Sequence, residues 1–224
     1  MKANLLNLFT EDNLQKWRQN YVTIQSITLP DKRCLYRQGY SCPHVFLISK
    51  GVIKLSYISE QGNEWTIALL RRGDVLGHLP GDLAEKAMEE TAQALGEATL
   101  IRFEHGDFKQ LLFQQPDLAW QVFEMQCTRR QQAERKLLNI MAQPVETRVI
   151  TMLKELADLF GIRCKHGYAL EIQLTQQELA DLVGASRPVV STIMNDLRNR
   201  GILDYTRELI CVKDVLFSNP ANES

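Results

Sequence analysis

The sequence has no run of 18 or more apolar residues, so no segment reads as a membrane span, and no membrane partner is expected. It has no excess of one charge either. Its 26 Lys and Arg face 27 Asp and Glu, for a net charge of −1. The molecule is therefore no polycation, and any nucleic acid has to be held by a local surface rather than by bulk charge. Cysteine is sparse and unpatterned. Cys34, Cys42, Cys127, Cys164 and Cys211 are odd in number and form no Cys-x-x-Cys pair. That excludes a disulfide framework and leaves them as small buried hydrophobes. Only His44, His78, His105 and His166 are present, far apart, and there is no Gly-x-Ser-x-Gly, His-Glu-x-x-His or phosphate loop. No catalytic residue, no metal site and no cofactor is expected, and the chain does not read as an enzyme. The stretch Met1–Phe9 carries one cation, is soon followed by Glu11 and Asp12, and lacks a cleavage site. It does not read as a signal peptide, which implies a cytoplasmic protein.

What is present is enough for two domains. The 224 residues are 45% hydrophobic, as in ordinary globular proteins. Residues 21–104 read as short strands, Val45–Ile48, Val52–Ile58, Thr66–Leu70 and Ala98–Phe103, punctuated by Gly39, Gly51, Gly62 and Gly73-Asp74. Alternation in Ile53-Lys54-Leu55-Ser56-Tyr57 suits a half-buried strand. Strands at this spacing predict an antiparallel barrel or sandwich, preceded by a short helix over Asp12–Asn20.

From Pro116 the period becomes helical. Leu118, Val122 and Met125 form one stripe, and Ala119, Phe123, Arg130, Ala133, Leu137 and Ile140 form another, until Pro144 stops the helix. A helix of this length spans about 37 Å. Two stripes predict one face packed on the barrel and one on a second copy of the chain; a helix packed wholly within one chain is the alternative. A second amphipathic helix over residues 145–160 ends near Gly161, and Arg163–Gly167 reads as a polar loop.

The stretch after it carries the chemistry. Thr175 and Glu178 make a Thr-x-x-Glu capping box, and Leu179, Ala180, Leu182 and Val183 supply a buried side. Gly184 sits where a tight turn between helices needs a left-handed backbone. Ser186 is placed to cap a second helix with Pro188 in its first turn. Val190, Ile193, Met194 and Leu197 then face inward, and Arg187, Ser191, Thr192, Asn195 and Arg198 face outward or flank. That outer face is short, polar and poor in carboxylates, as entry into a major groove requires. Gly201–Tyr205 and Leu209–Val212 read as a hairpin around Arg207-Glu208, a wing. Between Glu146 and Lys213 nine cations balance nine acids. Yet Arg187, Arg198, Arg200, Arg207 and Lys213 lie in or after the second helix, while Glu146, Glu155, Asp158, Glu171, Glu178 and Asp181 precede it. Such segregation suits a phosphate-facing side, and a domain turned to a protein partner instead is the rival reading.

On these residues, with Gly39, Gly51, Gly62, Gly73-Asp74, Gly77 and the long helix, the chain resembles the Crp/Fnr family of bacterial transcription regulators. Within the helix-turn-helix, Ala180, Gly184, Val190 and Ile193 fall at positions the family favours. Ser49–Ser56 and Thr66–Arg71 look most like its cyanobacterial global nitrogen regulator branch. The resemblance implies an α+β fold. A cyclic-nucleotide-binding-like β-barrel over 1–112 leads into a dimerisation helix over 113–142. A winged helix-turn-helix domain follows over 143–218, with its helix-turn-helix at 176–195 and a tail at 219–224. It implies a homodimer reading two half-sites about 34 Å apart on double-stranded DNA. Thr175, Gln176, Ser186, Arg187, Pro188, Ser191, Thr192, Asn195 and Arg198 are the implied contact residues. Arg187 matches the position that grips guanine, while Pro188 and Thr192 depart from the glutamate and arginine of the catabolite activator. The segment Cys164–Ala169 matches where that activator touches RNA polymerase, which implies activation.

The implied effector pocket comprises Gly77, His78, Leu79, Glu90, Thr91, Arg129 and Glu134. Cyclic-nucleotide binders of the family carry Gly-Glu-Leu and then Arg-Ser/Thr-Ala; here Gly77-His78-Leu79 and Glu90-Thr91-Ala92 stand instead. A carboxylate ~5 Å from a phosphate costs about 3 kcal/mol where an arginine would gain as much, so cAMP is disfavoured. Three alternatives remain: an unidentified small-molecule effector or none; a 2-oxoglutarate-like dicarboxylate met by Arg129 and Glu134; and haem or metal sensing of redox state or gas through His78, Cys34, Cys42 or His44.

Overall fold

The computed structural model describes residues 10–20, 24–77, 87–170, 172–206 and 209–217. The chain divides into two compact units, Met1–Gln132 and Ala133–Ser224, with the division inside the long helix. Among the described residues no helix is long and apolar enough to cross a membrane.

In the first unit, helix α1 (Glu11–Asn20) precedes strands β1 (Gln25–Leu29), β2 (Cys34–Tyr36), β3 (His44–Ile58), β4 (Glu64–Arg71), β5 (Val75–Gly77) and β6 (Thr91–Glu104), then helix α2 (His105–Gln114). The strands make one antiparallel sheet in the order β1-β6-β3-β4, with β2 on β6 and β5 on β3. Period-two alternation gives each face its own core. Phe46, Ile48 and Leu100 enter an inner cluster with Tyr36, Leu76 and Ala98. Their neighbours Val45, Leu47, Ile101 and Phe103 enter an outer cluster with Leu14 and Trp17 of α1 and with Phe108 and Leu111 of α2.

Two strands are longer than the sequence pattern predicts. The segments expected as separate strands at 45–48 and 52–58 are one strand, β3, and β6 begins at Thr91 rather than near Ala98. Gly51 does not end the strand; it kinks it. Its φ is +85°, and a Cβ there would lie 2.4 Å from the Glu97 carbonyl oxygen. The register of β3 on β6 slips on both sides of Lys50. The extra residue changes the phase, so even-numbered Phe46 and Ile48 and odd-numbered Ile53 and Leu55 share the inner cluster.

Helix α3 (Pro116–Ala142) opens with a proline and carries Asp117 in its first turn, as expected of a positive helix end. Leu118 and Val122 are buried in the outer cluster with Met125 against it, so the first stripe is placed as its period predicts. On other faces Trp120, Phe123, Leu137, Leu138 and Met141 stay exposed, Trp120 at 61% and Met141 at 76%.

The second unit contains the end of α3, α4 (Val145–Phe160), β7 (Gly161–Cys164), β8 (Gly167–Leu170), α5 (Gln176–Val183), α6 (Arg187–Asn199), β9 (Leu203–Tyr205) and β10 (Ile210–Lys213). Helix α4 buries Val149, Met152, Leu153, Leu156 and Ala157. The expected loop at 163–167 is instead a β-hairpin joined to the wing, in the order β7-β8-β10-β9. The reason is packing with distant residues. Gly167 passes so close to β10 that a Cβ would lie 2.0 Å from the Val212 carbonyl oxygen, and the polar Arg163 is held by Asp214. The wing strands β9 and β10 pair antiparallel as expected; Arg207 and Glu208, expected at their turn, lie outside the described residues.

Candidate nucleic-acid interface

The interface is built from a cap, a turn and a brace. Thr175 Oγ1 accepts from the Glu178 amide at 3.1 Å, and Glu178 Oε2 accepts from the Thr175 amide at 2.8 Å, which completes the capping box. Helix α5 then buries Leu179, Ala180 and Val183 and ends at Gly184, with φ +65°. The amides of Gly184 and Ala185 bond back to the carbonyls of Asp181 and Ala180, which closes the helix end. Arg148, on α4, donates from Nη1 to the carbonyl oxygens of Val183 at 2.6 Å and Gly184 at 3.1 Å. A guanidinium thus holds the turn at the negative end of α5, where a cation is favoured.

Helix α6 starts at Arg187 with Pro188 in its first turn, and buries Val190, Met194 and Leu197. Ile193, expected inward, is half-buried. Ser186 has the extended backbone of an N-cap, but its side chain makes no capping hydrogen bond. Pro188 explains this in part, because it removes one of the amides an N-cap oxygen accepts from.

On the outer side Arg187, Pro188, Thr192, Asn195 and Arg198 are exposed and Ser191 is half-buried. Thr175 and Ser186 are exposed and Gln176 half-buried at the start of α5 and in the turn. These residues do not form a uniform row of free groups. Thr192 Oγ1 donates back to the Pro188 carbonyl. Asn195 Oδ1 accepts from the Tyr205 hydroxyl at 2.9 Å, and Arg198 stacks over the Tyr205 ring while its Nε lies 3.5 Å from Asp204. Among the described residues the Arg187 side chain forms no hydrogen bond or ion pair. Arg200, expected on the phosphate side, is held by Glu146 at 2.8 Å and Asp196 at 3.1 Å. The charge segregation read along the chain is thus partly undone in space, because α4 brings Glu146 beside the end of α6.

Two contributors escaped the sequence reading. Val189, 43% exposed in the first turn of α6, is an apolar group of the kind that meets a thymine methyl. Its position off the buried 190-194-197 stripe was the available signal. Tyr205 braces the C-terminal half of α6 from β9, and no local pattern shows that pairing.

The comparisons agree with this geometry. Residues 147–215 match the model of a Crp-like helix-turn-helix domain, and residues 26–115 match that of the cyclic nucleotide-binding domain. The chain is 26% identical to the global nitrogen regulator of Nostoc sp. (strain PCC 7120 / SAG 25.82 / UTEX 2576) over 83% of both proteins. It is 26% identical to the cAMP-activated global transcriptional regulator CRP of Salmonella typhimurium over 82% of this chain and 87% of that one. The chain belongs to the Crp/Fnr family. Its fold is also that of CooA from Carboxydothermus hydrogenoformans, with a TM-score of 0.75 at 20% identity over 96% of this chain and 94% of that one. FixK2 from Bradyrhizobium japonicum gives a TM-score of 0.75 at 16% identity over 87% and 96%. As a Crp/Fnr protein with this domain, the chain is a transcription regulator that binds DNA through its helix-turn-helix.

In this Crp/Fnr chain the implied effector residues are only partly brought together. His78 and Leu79 lie outside the described residues. Glu90, which the resemblance sets at a phosphate-binding position, accepts from the Tyr36 hydroxyl at 3.0 Å, and Thr91 Oγ1 accepts from the Gln38 amide. Burial, reinforced by the Glu90 carboxylate, pushes the Tyr36 phenol well above its usual range, against the opposing pull of Arg129. Gly77 ends β5, paired with Val45. Arg129 and Glu134 sit on α3 on either side of the division between the units.

Proposed function

We propose that the protein is a cytoplasmic, sequence-specific transcriptional activator that binds a two-fold symmetric site as a homodimer and does not respond to cAMP. The observation that carries the DNA reading is the exposed first turn of α6, where Arg187 stands without a partner among the described residues. A guanidinium there can donate in a fork to guanine O6 and N7. Selection from random duplexes with the wild type and Arg187→Ala tests this. The variant is expected to lose about 1–3 kcal/mol of affinity and its preference at one base pair of each half-site. An unchanged motif from the variant refutes Arg187 as a base reader, and affinity indifferent to salt refutes DNA as the partner.

Support for the dimer comes from α3. Trp120, Phe123, Cys127, Arg130, Glu134, Leu137 and Met141 follow one another at alternating steps of three and four, the spacing of a coiled-coil seam. Four of them are large exposed hydrophobics. Sedimentation at twice the chain mass is the expected result. Indifference to cAMP follows from Glu90, which keeps a carboxylate where phosphate charge would lie; calorimetry with cAMP is expected to show no saturable heat. The relative from Salmonella typhimurium is named as cAMP-activated, and this chain departs from that pattern at Glu90. Activation rests on Cys164–Ala169, which spans the β7–β8 turn and part of β8, as a surface for RNA polymerase.

A further inference from the structure

The inner core of the first unit is open at one end. Beyond Leu100, which pairs with Ile27 on β1, the inner face of β6 continues to Arg102, which pairs with Phe46 on β3. There a cavity of about 530 Å3 opens, in the range that takes a small organic molecule. Its walls are apolar. Ile27, Leu29 and Leu35 line it, and all three are only half-buried although they pack against a core whose other members are nearly all closed to water. Beside the polar groups of Tyr40, Ser41 and His44, its fixed charges are of one sign. Arg37 and Arg102 line it, and among the described residues no carboxylate does. The nearest acid on the strand, Glu104, is engaged by His44 at 3.1 Å. Arg102 is itself incompletely satisfied. It donates from Nη2 to Gln25 at 2.8 Å, and its buried Nε has no hydrogen-bond partner.

We propose that this cavity is a binding site for a small amphipathic carboxylate, with its hydrocarbon or aryl body against Ile27, Leu29, Leu35 and Phe46 and its head group at Arg102 and Arg37. The apolar body covers wall surface now facing water, which is the non-directional part of the affinity. A planar carboxylate matches the guanidinium fork, which fixes orientation and excludes a cation. The site is separate from the one the family resemblance implies. Among the described residues of that pocket, Gly77, Glu90, Thr91 and Arg129 do not line the cavity, and Tyr36 closes the wall between with its hydroxyl given to Glu90.

Isothermal calorimetry on the full chain, without DNA, tests the proposal independently of the DNA reading. Decanoate and 4-phenylbutyrate are the probes, and they separate an acyl from an aryl body. Saturable binding of either, one per chain, is expected, with decyltrimethylammonium giving none. Arg102→Gln is expected to weaken binding by about tenfold or more, since it removes a charge-assisted hydrogen bond. Leu29→Trp, which fills the cavity without touching a charge, is expected to abolish it. The proposal is overturned if neither anion saturates or if the cation binds as well. It is also overturned if a natively folded Arg102→Gln, judged by circular dichroism, keeps wild-type affinity. Should that variant not fold, undiminished binding by Leu29→Trp overturns it.

Discussion

Arg148 holds the turn on which the DNA-binding element depends, so its removal has a calculable effect. The guanidinium donates to the carbonyls of Val183 and Gly184 at 2.6 and 3.1 Å. Hydrogen bonds to a charged donor contribute about 1.5–3 kcal/mol each when shielded from water. The Val183 bond is partly buried, and the Gly184 bond is exposed and contributes less. Arg148→Met keeps most of the side chain's volume, loses both bonds and leaves two carbonyls at the negative end of α5 without a cation. The loss comes to about 2–3 kcal/mol, and for a unit of this size each 1 kcal/mol lowers the melting temperature by about 4–8 °C. Calorimetry of the full chain should therefore show the transition of the second unit lower by roughly 8–24 °C. Arg148→Lys should recover only part of this, because an ammonium cannot match the fork. Affinity for DNA, measured well below the lowered transition, should fall far less than on loss of Arg187, because Arg148 supports the turn rather than the groove. Melting of Arg148→Met within a degree or two of the wild type would refute the brace.

Three further perturbations follow from the same structure. Thr175→Ala removes an oxygen that caps the Glu178 amide and should lower the stability of the second unit by about 1 kcal/mol in urea titration; no change would mean the box is redundant. The Cys164 and Cys211 sulfurs lie 3.7 Å apart, with the Cys164 thiol lowered chiefly by the His166 backbone amide and the Cys211 thiol raised chiefly by burial. Iodoacetamide near neutral pH should therefore label Cys164 before Cys211, as peptide mass mapping would show, and the reverse order would contradict the assignment. Burial raises the Asp74 carboxyl above its usual value against the opposing Arg71 amide bond and the Arg71 and Arg129 charges. The folded chain then holds a proton at Asp74 where the unfolded chain has lost it, so this group's contribution to stability grows as pH falls from its folded pKa towards the ordinary value near ~3.9. The stability gap between wild type and Asp74→Asn, measured by urea unfolding, should shift in favour of the wild type across that window and stay flat if Asp74 titrates normally.

What could be read from the sequence was local. The Thr175–Glu178 box, Gly184, the start of α3 at Pro116 and the buried 190-194-197 stripe each depend on residues within a few positions of one another, and each has a geometric requirement that few residue types meet. What escaped depends on contacts across the chain. Arg148 reaches carbonyls 35 and 36 residues away, and Arg200 reaches Glu146 over 54. The polarity of Arg163–Gly167 suggested a loop because nothing local announces that β10 lies alongside. Gly51 read as a strand end because a bulge and a turn make the same demand of the backbone. Trp120 was missed because a bulky ring outside both expected stripes has meaning only once the face it occupies is seen to be uncovered.

The ties on α6 divide its reading face in two. In the C-terminal half, Asn195 and Arg198 are already held by Tyr205 and Asp204, so either can meet DNA only by exchanging a contact it has. The exchange subtracts from whatever that contact adds, and both side chains are exposed, so the wing bonds themselves are weak. In the N-terminal half, Arg187, Pro188 and Val189 are exposed, and Arg187 has nothing to give up among the described residues. Pro188 cannot donate from its backbone, so on the proposed reading base discrimination falls to the Arg187 fork and apolar contact at Val189. Discrimination should therefore concentrate at the base pairs under the first turn, with Asn195 and Arg198 adding affinity that varies little with sequence. Tyr205→Phe frees Asn195 without altering the first turn. If that variant gains a preference at a base pair the wild type ignores, the wing is restraining a reader; if its selected motif is unchanged, Asn195 faces backbone.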